Sequence, residues 1–307
     1  MTMDFILKTK PWEHQLLALE YLYSRDVGAL YTAPGTGKTK IMIDLIINRH
    51  WKTVLIVTTN KGCDVWQNEF KKHSNLEARN VLNLGGTPGN KKVLLCKETL
   101  LERKSDEGFG PVILICNYES VWRPEFASYL MRKSVYIDAA ICDESHRIKS
   151  PSSKCSWFLT RIGRKVSCRY LVTGTPLAES PMDVYAQYRF VDPTIFGTRF
   201  SDFKEQYQNL DIYATQRLGY PVLDKKHPYK NLDQQHQKMF SIAFLMPSSV
   251  KLPKRFNAIK KFKLNKKCSN IYRQLDKDGS IDFGEEFMEV DNAFTKMTRK
   301  RQLLRGS

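Results

Sequence analysis

The 307-residue sequence predicts an α/β fold of the doubly wound type, a mostly parallel sheet with helices on both faces. Three observations carry that expectation. Six short apolar runs recur through the first two-thirds of the chain, continuous rather than alternating, as strands buried on both faces read. Amphipathic stretches of helix length separate them. Polar motifs follow the runs, at the carboxyl ends of strands where ligands bind in such sheets.

The first run, "VGALYTA" (27–33), is followed by the helical pattern "KTKIMIDLIINRH" (38–50). A strand is expected at 53–59, then the amphipathic stretch "DVWQNEFKKH" (64–73) and a short strand at 80–84. Further strands are expected at "VILICN" (112–117), "AAICDE" (139–144) and "RYLVTGT" (169–175), with a helix at 153–163 between the last two. After about residue 208 the alternation loosens: 215–231 reads as loop, 232–245 as one helix, 255–264 as a strand, and 298–307 as a closing helix. Trp12, Trp51, Trp66, Trp122 and Trp157 are expected in the core or packed against helices.

Composition narrows the function. No apolar run is long enough to span a bilayer, and the N-terminal residues lack a signal-peptide pattern, so no membrane partner is expected. Seven cysteines are scattered without a C-x-x-C pair, which argues against a structural zinc or a disulfide framework. The net charge is +17, and residues 225–267 carry twelve Lys/Arg against Asp233 alone. Such a surface suits a polyanion, because binding a phosphate backbone releases counterions.

"TAPGTGKT" (32–39) lies between a strand and a helix, the setting of a phosphate-binding loop. Gly35, Thr36 and Gly37 let backbone N–H groups converge on phosphate oxygens at a helix N-terminus. Lys38 is placed to neutralise the β/γ-phosphates of ATP and Thr39 to offer its hydroxyl to Mg2+. Thr32 stands where the strict pattern has its first glycine. Asp143 and Glu144 end another strand, where one carboxylate can hold Mg2+ and its neighbour can activate water.

In order and spacing, residues 11–207 resemble the Swi/Snf-type DNA translocase ATPases of helicase superfamily two. "PWEHQLLALEYL" (11–22) is similar to the family's N-terminal glutamine element, which puts Gln15 in the adenine-reading position. "TAPGTGKT" resembles motif I, "VLIVTTNKGCDVWQNEFKKH" (54–73) motif Ia, and "ICNYESV" (115–121) a further strand end of the family. "CDESHRIKSPSSK" (142–154) resembles motif II, and "LVTGTPLAESPMDVYAQYRFVDP" (171–193), the most specific match, resembles motif III and its helix. The resemblance implies a RecA-like P-loop lobe in which Lys38 and Thr39 bind Mg-ATP, Asp143 holds the metal and Glu144 activates water. It implies that His146 and the turn Thr173, Gly174 and Thr175 couple the nucleotide to a nucleic-acid track. Thr58, Thr59, Asn117, Arg147 and Lys149 fall where family members approach the phosphate backbone, and double-stranded DNA is the expected partner.

The same resemblance divides the chain into a RecA-like ATP-binding lobe (1–208), a basic loop and helical extension (209–253) and the start of a second RecA-like lobe (254–307). The rest of that lobe, with its arginine finger, is expected in cis or from a partner in trans. Without the finger, ATP is expected to bind but to turn over poorly, since such an arginine is worth ~10³–10⁵ in rate. The compact bacterial or viral members are the nearer comparison, which implies a cytoplasmic site, or a nuclear one in a eukaryote. Two other readings stay open: the motor subunit of a restriction or repair system, and a non-catalytic module that binds nucleic acid or a partner. "QLDKDGSIDFGEEF" (274–287) partly fits a calcium loop, but Gln274 replaces its first aspartate and a solvated acidic turn is expected.

Overall fold

The computed structural model describes residues 7–106, 110–246, 263, 265–277, 280–282 and 287–289. The chain forms two compact units, Met1–Leu252 and Pro253–Ser307. The first is built in the order α1 (Glu13–Tyr23), β1 (Val27–Tyr31), α2 (Lys38–Asn48), β2 (Thr53–Thr58), α3 (Asn60–His73), β3 (Val81–Asn83), α4 (Gly89–Ser105) and β4 (Val112–Asn117). It continues with α5 (Pro124–Leu130), β5 (Ala139–Asp143), α6 (Lys154–Lys165), β6 (Cys168–Thr173), α7 (Val184–Val191) and α8 (Pro193–Phe196). The elements α9 (Phe200–Tyr207), α10 (Ile212–Leu218), α11 (Leu232–Phe240) and β7 (Ala243–Leu245) complete it.

All seven strands are parallel, in the order β3-β4-β2-β5-β6-β1-β7. The central strands are buried on both faces, which is why their sequences are continuously apolar. Alternate residues feed two separate cores. Val54, Ile56, Ile113, Ile115 and Ile141 pack with Ile41, Leu45, Trp66 and Phe70 of α2 and α3. Leu55, Val57, Leu114, Cys116 and Cys142 pack with α4 to α7 on the other side, through residues such as Phe126, Leu159 and Tyr188. Because every strand runs the same way, Tyr31, Thr58, Asn117, Asp143 and Thr173 all end at one edge. The register sets Thr58 beside Asn117, Asp143 beside Val172, and Tyr31 beside Thr173.

Two expected elements differ. The single helix read over 232–245 is α11 followed by β7, which pairs with β1 through Ala29↔Ala243. Its three residues are too few to show a period of their own. The loop read at 215–231 begins inside α10, which Asp211 caps by accepting the Ala214 N–H at 2.9 Å. Tryptophan burial is also mixed: Trp51 and Trp66 are in the core, whereas Trp12 is 62% and Trp157 54% exposed.

In the second unit the described elements are α12 (Lys266–Lys277) and the antiparallel strands β8 (Ser280–Asp282) and β9 (Phe287–Glu289). Gln274 and Asp276 of the calcium-loop lookalike are therefore helical. Apart from Lys263, the strand expected at 255–264 lies outside the described residues, as do the helix at 298–307 and most of the expected start of a second lobe.

Candidate nucleotide-binding site

The turn between β1 and α2 depends on its two glycines. Gly35 has φ +84° and Gly37 φ +80°, the left-handed region in which a side chain is strained. A Cβ on Gly35 would meet nothing within 4 Å, so the turn is open on that side, as a phosphate would need. A Cβ on Gly37 would fall 2.2 Å from Gln15 Nε2. Thr32, in place of the first motif glycine, is nearly buried, and its hydroxyl lies 2.9 Å from that of Thr36, which in turn donates to the Ala33 carbonyl at 2.9 Å. The substitution therefore braces the turn from below.

Lys38 opens α2 and folds its ammonium back onto the turn, donating to the carbonyls of Thr32 at 3.0 Å and Ala33 at 3.3 Å. Burial pulls its pKa below the usual lysine value, and the negative charges of Glu144 and Asp143 partly offset that shift. The lysine and the acidic strand end therefore share one electrostatic site, although about a hundred residues separate them in sequence. Thr39 follows at the second position of α2, part-buried.

Asp143 is held tightly. Its Oδ2 accepts from Thr58 Oγ1 and from Trp66 Nε1, both at 2.8 Å, and its backbone carbonyl accepts from the Tyr118 hydroxyl at 2.6 Å. Among the described residues no donor reaches Oδ1, which is left as the oxygen able to bind a cation. Glu144, next in the chain, adopts φ +52°, a strained value for a residue with a side chain. It caps the short 3₁₀ turn Ser145–Ile148, which Ser145 anchors by donating to Gln187 Oε1 at 2.7 Å in the interior. Thr173 Oγ1 lies 3.4 Å from Glu144 Oε2 and 3.1 Å from His146 Nδ1, and Thr175 Oγ1 lies 3.5 Å from the same nitrogen. Gly174 touches the phosphate turn: a Cβ there would be 3.2 Å from the Thr32 carbonyl and 3.8 Å from Lys38 Nζ.

Gln15, the adenine-reading residue by resemblance, is buried against the turn. Its Nε2 donates to the Thr36 carbonyl at 3.2 Å, and its Oε1 accepts the Trp12 N–H at 3.0 Å. His14 Nε2 reaches the same carbonyl at 3.0 Å. A pocket of about 400 Å³ opens beside them, lined by Trp12, Gln15, Gly35, Gly37, Lys40 and Glu69.

The residues expected to approach a phosphate backbone are placed less uniformly. Thr58 is fully buried and its hydroxyl is committed to Asp143, so its side chain belongs with the acidic strand end. Thr59 caps α3, accepting the Gly62 N–H at 3.1 Å. Asn117 is nearly buried, donating to Asn60 and accepting from Ser120. Arg147 and Lys149 are outside, in ion pairs with Glu119 and Glu179. The donor role of Trp66 was not visible in the sequence, where it reads as a packing residue. The motif Ia match around it was the one available signal.

The donor set fits a magnesium-bound triphosphate: an open glycine turn at a helix N-terminus, a half-buried ammonium, and a carboxylate with one oxygen constrained and the other available. The SNF2-related domain model matches residues 14–306. The yeast (Saccharomyces cerevisiae) "ISWI chromatin-remodeling complex ATPase ISW2" is 30% identical over 214 residues, covering 66% of this chain and 18% of its own length. "Helicase ssl-1" of Caenorhabditis elegans is 29% identical over 219 residues, 67% of this chain and 8% of its own. The chain thus spans less than a fifth of each of these relatives. The solved "Sulfolobus solfataricus SWI2/SNF2 ATPase core in complex with dsDNA" has the same fold, with a TM-score of 0.54 at 14% identity, covering 98% of this chain and 59% of that one.

Proposed function

We propose a nucleotide-driven motor function, starting from one fact: the chain belongs to the SNF2-related domain family. In this reading residues 1–208 are the N-terminal lobe of an ATP-dependent DNA translocase, and residues 209–253 are an extension whose strand β7 joins the lobe's sheet beside β1. Lys38 neutralises the β- and γ-phosphates over the Gly35–Gly37 turn. Thr39 and Asp143 hold Mg2+, which supplies charge neutralisation for the leaving phosphate. Glu144 orients and deprotonates the attacking water. The observation that carries the proposal is geometric: β1 and β5 flank β6 in an all-parallel sheet, and Thr173 at the end of β6 lies 3.4 Å from Glu144 Oε2 while a Cβ on the next residue, Gly174, would lie 3.8 Å from Lys38 Nζ.

His146 supports the coupling role. It sits between Glu144 and the Thr173–Thr175 turn, so a shift of the glutamate on phosphate release would be felt by the strand whose turn touches Lys38. Duplex DNA would be gripped through its backbone by Thr59, Arg147 and Lys149, without reading sequence, whereas the nearly buried Asn117 would act through the Asn60 and Ser120 side chains it holds. The ion pairs of Arg147 and Lys149 do not oppose this, because exposed pairs contribute only about 0–1 kcal/mol and a phosphate can displace the glutamates. Efficient turnover needs a second RecA-like lobe, in cis or trans, with an arginine that stabilises the transition state.

Fluorescent-nucleotide titration and DNA-dependent phosphate release, with and without an added second lobe, test the reading together. The motor reading expects Mg-dependent nucleotide binding by the chain and DNA-stimulated release once the lobe is supplied. Binding with no release in either case would leave a non-catalytic module, and no nucleotide binding would end the motor reading.

A further inference from the structure

Outside the nucleotide site, α5 and α6 form a second built surface. On α5 and at its C-cap, Pro124, Ala127, Ser128 and Met131 line a groove, and on α6 Lys154, Trp157, Phe158 and Arg161 line its other wall. Both sets have the spacing i, i+3, i+4, i+7, so each helix turns one continuous face to the same space of about 570 Å³. The opposite faces of these helices are already buried, through Phe126, Tyr129 and Leu130 on one and Leu159 and Ile162 on the other. Phe158 at the groove floor belongs to the core, with Ala127 and Met131 packed against it, whereas Trp157 and the side chains at the rim stand outside it.

The wall of α6 is unusual for a surface. Trp157 is 54% exposed, and its ring is backed by the Arg189 guanidinium 4.6 Å from the centroid. Arg189 is itself fixed by the Pro151 carbonyl at 2.7 Å and Ser156 Oγ at 3.0 Å. The indole is thus held rigid while exposed, a state in which burial by a partner loses little side-chain freedom. At the end of the groove Trp122 is stacked by Arg123 at 4.7 Å and Lys154 at 5.5 Å. Arg123, Lys154 and Arg161 are exposed, and none forms an ion pair among the described residues.

We propose that this groove docks an amphipathic helix of a partner protein, an apolar stripe flanked by Asp and Glu. The two facing helical walls leave a trough that the apolar stripe of a third helix fills, with its anchors seated against Trp157, Met131 and Ala127. The unpaired cations at the rim supply the complement to acidic flanks and set the orientation. A nucleic acid would satisfy the rim but not the apolar floor, which a phosphate backbone cannot fill. The inference does not depend on the nucleotide reading.

The test is selection from a displayed library of short helix-stabilised peptides against the full chain, followed by fluorescence anisotropy. Enriched peptides should carry aliphatic or aromatic residues at helical spacing between acidic flanks. Trp157→Ala should weaken them at least about tenfold. The exposed double variant Lys154→Glu/Arg161→Glu should do the same, and because these side chains face solvent its melting temperature should match the parent's. Peptides with the acids changed to lysine should not bind. No enrichment, enrichment of neutral or basic peptides, or affinities unmoved by the double variant would overturn the proposal. So would a short DNA duplex that loses as much affinity to Trp157→Ala as the peptides do, which would assign the groove to nucleic acid instead.

Discussion

Replacing Trp66 by Phe removes one hydrogen bond and little else, so it tests how Asp143 is held. The indole is 1% exposed and packs 6.1 Å from Phe70, contacts that a phenyl ring largely keeps. What is lost is the Nε1–H donor 2.8 Å from Asp143 Oδ2. A hydrogen bond to a charged acceptor contributes about 1.5–3 kcal/mol. Asp143 is only part-buried and keeps the Thr58 donor, which puts the hydrogen-bond loss at the low end, and the smaller ring leaves a small void. The expected loss is about 2 kcal/mol, read from urea denaturation of the ligand-free chain. Because Oδ2 is then held from one side only, Mg2+ titrations of nucleotide binding should shift to higher metal concentration. Thr58→Val should be non-additive with Trp66→Phe, since both donors share one oxygen. An unchanged urea midpoint together with an unchanged Mg2+ titration would refute the view that the indole positions this carboxylate.

Two further outcomes follow from the same geometry. Gly37→Ala adds a left-handed penalty of about 1–2 kcal/mol to a clash with Gln15 and should lower nucleotide affinity at least tenfold. Gly86→Ala, at φ +68° with nothing within 4 Å, carries the backbone cost alone and should leave affinity intact, as isothermal titration of both variants can check. His73 is held mainly neutral, because burial lowers its pKa below 6.5, only partly countered by Glu69, with Lys72 and Lys40 lowering it further. The unfolded chain then binds the proton that the folded chain resists, so stability is present above pH 6.5 and is lost as the pH falls below it. Melting curves from pH 7.5 to 5.5 should show that decline, flattened in His73→Gln.

The sheet was legible because its signals are local. Strands such as Val112–Asn117 are unbroken apolar runs, and the glycine spacing around Lys38 is a motif in its own right. In the fold the acidic strand end and the phosphate turn fall at the same edge of the parallel sheet. What the sequence hid is tertiary. Trp66 and Asp143 are 77 residues apart, and Ser145 and Gln187 are 42 apart, so no periodicity links them. Nor does composition reveal that Arg147 and Lys149 are paired with Glu119 and Glu179, or that Thr58 turns inward. Strand β7 escaped because three residues directly after a helix are too short to announce themselves.

The decisive measurement is calorimetric titration of Mg-ATP into the parent chain and into Lys38→Ala. Deleting the Lys38 ammonium, which folds onto the turn, should weaken binding by about a hundredfold, roughly 2.7 kcal/mol, with the melting temperature of the ligand-free chain preserved. Equal affinity in the two proteins would mean that the Gly35–Thr39 turn does not grip a triphosphate.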